Sequence, residues 1–138
     1  MAENQPPAVP SLRAIALAQA AYFIITGVWP LVSIRTFEMI TGSKTDRWLV
    51  KTAGVLITAI GAALGVAGLR RRQGPEIPVL AVGSAVGLTA IDVVYVARGR
   101  ISRVYLLDAL AEVALILAWA VAWAGRQSSP AAIEEQSE

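Results

Sequence analysis

The chain has 138 residues, enough for one domain. Hydrophobic residues make up 56% of it and charged residues only 16%, with a formal net charge of +2 and a mean hydropathy of +0.59. A soluble domain carries about 25% charged residues, so this composition excludes a disordered chain and argues against a free soluble monomer. With neither Cys nor His, disulfides, thiolate metal sites, cysteine nucleophiles and imidazole acid–base chemistry are excluded.

A bilayer core needs about 20 mostly apolar residues of helix, and four stretches supply them. They run over 12–34, 48–69, 77–97 and 101–125. The fold expected is an all-α, integral membrane, antiparallel four-helix bundle over residues 12–126. Tails of 1–11 and 127–138 flank it, the first rich in proline and the second polar and acidic.

Ser11 is a suitable N-cap for the first span. That span lacks a basic leader, and Ala16-Leu17-Ala18 comes too early to be a cleavage site, so it reads as a retained helix. Pro30 is expected to kink it near its end. The connection 36–47 follows, with Phe37, Met39 and Ile40 set among charges. It reads as a short amphipathic turn at the interface, either a lid on a cavity mouth or an ordinary connection.

The second span contains Gly61-x-x-x-Gly65 and the third Gly83-x-x-x-Gly87. Small residues let membrane helices approach closely, and a short loop through Gly74-Pro75 joins these two. A close contact between them is therefore expected, within one bundle rather than between two copies. A tight reversal at Gly99 leads into the fourth span, where Ala114, Ala118 and Ala122 form another small-residue seam.

Both termini fall on one side with the Arg70-Arg71-Arg72 loop. Arg35, Lys44, Arg47, Lys51, Arg98, Arg100 and Arg103 fall on the other. This split does not decide orientation by positive charge; the cytoplasm is taken as the side of the termini. The arginine cluster reads as a contact for lipid headgroups rather than nucleic acid.

Charge inside a membrane costs about 2.5–3.5 kcal/mol per group at mid-helix on insertion scales, so each needs a partner or a wet cavity. Asp92 and Asp108 lie eight residues either side of Arg100, hence at similar depth. Glu112 shares a face with Asp108 one turn deeper, along with Tyr105 and Trp119. Tyr95 shares the face of Asp92. On the first span Gln19, Tyr22, Thr26, Trp29 and Ser33 form a polar stripe.

These stripes predict one polar interior. Asp92, Asp108 and Glu112 form its acidic part, Lys51, Arg35 and Arg103 are the cations available to compensate them, and Tyr22, Trp29, Tyr95, Tyr105 and Trp119 supply aromatic walls. The reading taken is a cavity for a small amphipathic or lipid-like molecule. A buried ion-pair network that fixes helix register is the alternative. No metal or cofactor is expected: nearby Lys and Arg make ion pairing a better use of the acids than a divalent cation, and no nucleotide-binding or nucleophile-elbow motif occurs.

Gly27-Val28-Trp29-Pro30, Phe37, Thr41-Gly42-Ser43-Lys44-Thr45-Asp46 and Trp48-Leu49-Val50 together resemble small bacterial four-helix membrane proteins of the DoxX-like kind, over about the first half of the chain. The resemblance implies a multi-pass protein of the bacterial inner membrane and assigns no catalytic residue. Three roles compete with ligand binding: an accessory subunit of a larger membrane complex, a dimeric proton-coupled transporter with Asp108 or Glu112 as carrier, and, least favoured, an enzyme.

Overall fold

The structure, a computed structural model, describes residues 11–70 and 74–127, the side chains through 125. The expected tails and the Arg71-Arg72 part of the arginine cluster lie outside these residues. The described chain forms five helices, α1 (Leu12–Val32), α2 (Ile34–Thr41), α3 (Arg47–Leu69), α4 (Glu76–Ala97) and α5 (Tyr105–Gln127), with no strand among the described residues. Four are long and apolar enough to cross a membrane: Leu12–Val32, Arg47–Leu69, Glu76–Ala97 and Tyr105–Gly125.

Helix boundaries follow from local chemistry. Ser11 caps α1, its Oγ accepting from the Ala14 N–H at 3.0 Å. Two residues beyond Pro30 the helix stops at Ser33, whose φ of −147° leaves the helical region. The Ser33 hydroxyl then accepts from the Thr36 N–H to start α2. The first span therefore ends sooner than expected, and the anticipated amphipathic turn is a two-turn helix.

Trp29 holds α2 against the end of α1. Its Nε1 donates to Thr36 Oγ1 at 2.9 Å, and the Phe37 ring meets it edge-on, centroids 5.4 Å apart. Gly42, at φ +95°, ends α2 in a conformation that other residues rarely adopt. Gly99, at φ +69°, does the same after α4. Residues 101–104 then form a turn, so α5 begins at Tyr105, four residues later than the sequence reading placed it.

Arg47 tethers the start of α3 back to α2, with Nε and Nη2 donating to the two Glu38 carboxylate oxygens at 2.9 and 3.0 Å. The Arg47 side-chain hydrogen bond, ahead of its charge and the Lys44 N–H, holds the Glu38 carboxyl below its usual range against a smaller opposing effect of burial. A group with a depressed pKa gives stability above its unfolded value and loses it as pH falls through the folded one. Hydrogen-exchange protection at the α2–α3 junction, taken relative to the intrinsic rate at each pH, is thus expected to stay flat from neutral pH down to the ordinary carboxylate range and to fall below it. Glu38→Gln should abolish that step; a step that persists in the variant would assign it to another group.

The helices associate chiefly as two pairs, α1 with α3 and α4 with α5. Gly68 lies against Leu17, Gly61 and Gly65 against Ala20, and Gly54 against Gly27, so positions rise along α3 as they fall along α1. This corrects the expected contact between the second and third spans. Gly61 packs on α1, and Gly83 and Gly87 have nothing within 4 Å of where a side chain would begin. A core of Ile15, Ala16, Ala20, Leu64, Ala81, Trp119 and Ala122 joins the two pairs.

One polar bridge crosses that core. Gln19, fully buried, donates from Nε2 to the Ala81 carbonyl at 2.9 Å and accepts at Oε1 from Trp119 Nε1 at 2.7 Å. It links α1, α4 and α5. Both polar atoms of the buried amide thus have a partner, as burial requires.

Candidate functional site

Beside this core, nearer the α2 end, a cavity of about 400 Å³ opens among all five helices. Tyr22, Thr26 and Trp29 come from α1, and Phe37, Ile40 and Thr41 from α2. Ile57 and Leu88 come from α3 and α4, and Val104, Tyr105, Leu107, Asp108, Ala111 and Glu112 from α5 and the turn before it. The 3–4-residue spacing on α1 and α5 is what puts each set on one helical face. The surface is mostly aliphatic and aromatic, with polar groups concentrated on α5.

The acids gather there. Tyr22 Oη donates to Asp108 Oδ1, joining α1 to α5. Asp92, from α4, lies beside Asp108 and is 5% exposed. Glu112, one turn below Asp108 in the cavity wall, is 1% exposed. Both Glu112 oxygens and Asp92 Oδ2 are buried without a hydrogen-bond partner. Buried polar atoms are nearly always satisfied in folded proteins, and a carboxylate carries the steepest cost when it is not.

The expected cations do not compensate these acids. Lys51, Arg35 and Arg103 are exposed, and among the described residues the one ion pair joins Arg47 to Glu38, outside the cavity. Lys51 sits on the outer face of α3, and Arg35 points away from the α2 face that carries Thr41. The cation that does approach is Lys44. Its Nζ stands over the Tyr105 ring, 4.7 Å from the centroid, and donates to the Thr41 carbonyl at 3.2 Å. Both of those residues line the cavity, so Lys44 marks its rim.

Of the other anticipated residues, Tyr22, Trp29 and Tyr105 lie in the wall. Tyr95 is exposed near the end of α4, outside it. Trp119 is a correction: it falls on the Glu112 side of α5 but two turns deeper, where it is bonded to Gln19. There it borders a separate apolar hollow of about 380 Å³ with Pro78, Val82, Ile116 and Trp123.

The sequence reading did not include Lys44, Thr41, Ile57 or Leu88 in the site. The spacing of Phe37, Ile40 and Thr41 on one face of a helix was the signal available for the α2 wall. Among the described residues no group of three or more Asp or Glu is disposed to hold a metal ion. No family model, curated protein or solved structure matches the chain.

Proposed function

We propose that this chain is a multi-pass membrane protein that binds a small amphipathic or lipid-like molecule in the cavity beneath α2. In this reading α1, α3, α4 and α5 are the spans of an antiparallel four-helix bundle. Its place is the bacterial inner membrane with both termini cytoplasmic, in keeping with the DoxX-like resemblance. Support for the membrane comes from the outer faces: Val32, Val55, Leu56, Leu69, Val79 and Leu110 are all exposed. Soluble monomers do not spread apolar surface over every face.

The observation that carries ligand binding is Glu112, buried with both oxygens unpartnered in the wall of a mostly apolar cavity. Drug-sized ligands occupy cavities of about 300–1,000 Å³ with a few polar groups that fix orientation, and this one has that size and character. The Tyr22 hydroxyl, Asp108 and Glu112 would meet the polar end, while Trp29, Phe37, Ile57 and Leu88 would meet the apolar part.

An accessory role as a subunit rests on α4, where Gly83 and Gly87 present an open small-residue face. It predicts a stoichiometric partner chain and no dependence on the cavity.

Calorimetric titration of the bilayer-embedded protein with octyltrimethylammonium, octanol and octanoate tests the binding reading, protein-free vesicles giving the baseline. At least one of the three is expected to bind saturably, one per chain. Filling the cavity by Ala111→Phe, or independently by Leu88→Phe, is expected to weaken it about tenfold or more. Absence of saturable binding by all three, or binding indifferent to both fillers, would refute the reading.

A further inference from the structure

We infer that the ligand of this cavity is an organic cation, a protonated or quaternary amine carrying an apolar group. The inference rests on the cavity-binding reading and names the class of molecule that the cavity selects.

Two carboxyls, Asp108 and Glu112, stand in the cavity wall, with Asp92 beside Asp108, and the more deeply buried of the two, Glu112, has neither oxygen satisfied. Among the described residues no Lys or Arg forms an ion pair with these carboxyls: Arg35, Lys51 and Arg103 are exposed, Arg47 is committed to Glu38 by two hydrogen bonds, and Lys44 stays at the rim over Tyr105. A buried carboxylate is stabilised by an opposite charge within hydrogen-bond reach, and such charge-assisted bonds are the strong ones. An anion entering this space would meet acid repulsion, and three of the hydroxyls in the wall are already given away: Tyr22 Oη to Asp108, Thr26 Oγ1 to the Tyr22 carbonyl and Thr41 Oγ1 to the Phe37 carbonyl.

The rest of the wall selects an organic rather than an inorganic cation. A hard metal ion requires several oxygen ligands around it, and much of the remaining wall is Trp29, Phe37, Ile57 and Leu88. Aromatic faces attract ammonium groups through the ring quadrupole. Tyr105 already does so at the rim, where it carries the Lys44 ammonium 4.7 Å from its centroid. A ligand ammonium would follow the same chemistry one step inward: past the Tyr105 ring to Asp108 and Glu112, with its apolar group left among the rings and aliphatic side chains.

The three eight-carbon probes separate charge from shape, since their tails are the same and their heads are cationic, neutral and anionic. With bilayer-embedded protein, octyltrimethylammonium is expected to bind about tenfold or more tightly than octanol, and octanoate more weakly than either. Glu112→Gln keeps the side-chain shape and removes the charge. It is expected to remove the cation's advantage over octanol in the same variant, while helical circular dichroism matching the wild type reports that the variant is folded.

Should Glu112→Gln lose octanol binding as well, the wild-type ranking decides. A preference for the cation supports the inference and equal or reversed affinities overturn it. An unaltered preference for the cation in a variant that still binds octanol would likewise overturn it. Binding of octanol or octanoate at least as tight as the cation would remove the cationic class while keeping a ligand cavity. Failure of all three to bind would remove the cavity reading itself.

Discussion

Gly54→Ala is expected to be among the most damaging single-methyl additions in this chain. A Cβ at Gly54 would sit 2.6 Å from the Gly27 carbonyl oxygen, 3.3 Å from Pro30 Cγ and 3.4 Å from Leu31 Cγ. The nearest obstacle is backbone, and Pro30 is a rigid ring within the same helix, so no side chain can swing aside. The α1 and α3 backbones would have to separate. Overpacking of this kind costs about 1–3 kcal/mol, set against a gain of up to about 1 kcal/mol in helix propensity on replacing glycine.

The comparison that isolates the effect lies on α4. Gly83 and Gly87 have open space where a Cβ would go, so Gly83→Ala and Gly87→Ala should leave stability unchanged or slightly raised. Unfolding in micelles followed by circular dichroism would rank the three. Equal behaviour of Gly54→Ala and Gly83→Ala would mean that α1 and α3 do not meet backbone to backbone.

The second large effect is expected from Gln19→Leu. Leucine fills nearly the same volume but leaves Trp119 Nε1 buried with no acceptor, and it withdraws the donor from Ala81. The Ala81 carbonyl keeps a bond from Ser84 Oγ at 3.1 Å, so the penalty falls mainly on Trp119. An orphaned buried donor costs about 1–3 kcal/mol, and side-chain hydrogen bonds between membrane helices have given at most about 1.7 kcal/mol in double-mutant cycles.

A loss of about 1–2 kcal/mol is therefore expected for Gln19→Leu. Trp119→Phe removes the donor itself, and in the double variant the two losses should fall short of additive. Strict additivity would show that the Gln19–Trp119 bond contributes nothing to joining α1 with α5.

The four spans were legible because about 20 mostly apolar residues in a row leave few alternatives to a long helix. The acid cluster was legible in part: Asp108 and Glu112 share a face by the four-residue rule, and Asp92 faces them across the reversal at Gly99. The polar stripe of α1 likewise placed Tyr22, Thr26 and Trp29 together. Helix partnering was not legible, since α3 and α4 both carry a small-residue motif and only three-dimensional fit selects which one is used. Gly27 and Gly54, the pair in closest contact, belong to no four-residue repeat that singles them out.

The compensating cations were misjudged for a related reason. Residues at helix ends reach in several directions, and Lys51 and Arg35 turn outward where water lowers the cost of their charge. Lys44 lies in a connection with no periodicity to reveal that it would fold back over Tyr105. Trp119 shares an arc with Glu112 on a helical projection, yet two turns of α5 carry it about 10 Å further along the axis, past the cavity and into contact with Gln19.

The most direct test of a ligand cavity bounded by Glu112 is a paired titration of octyltrimethylammonium into bilayer-embedded wild type and Ala111→Phe. The account predicts saturable binding at one per chain in the wild type and a curve that falls to the vesicle baseline in the filled variant. Curves that saturate alike in the two proteins, or wild-type curves at the baseline for octyltrimethylammonium, octanol and octanoate alike, would contradict it.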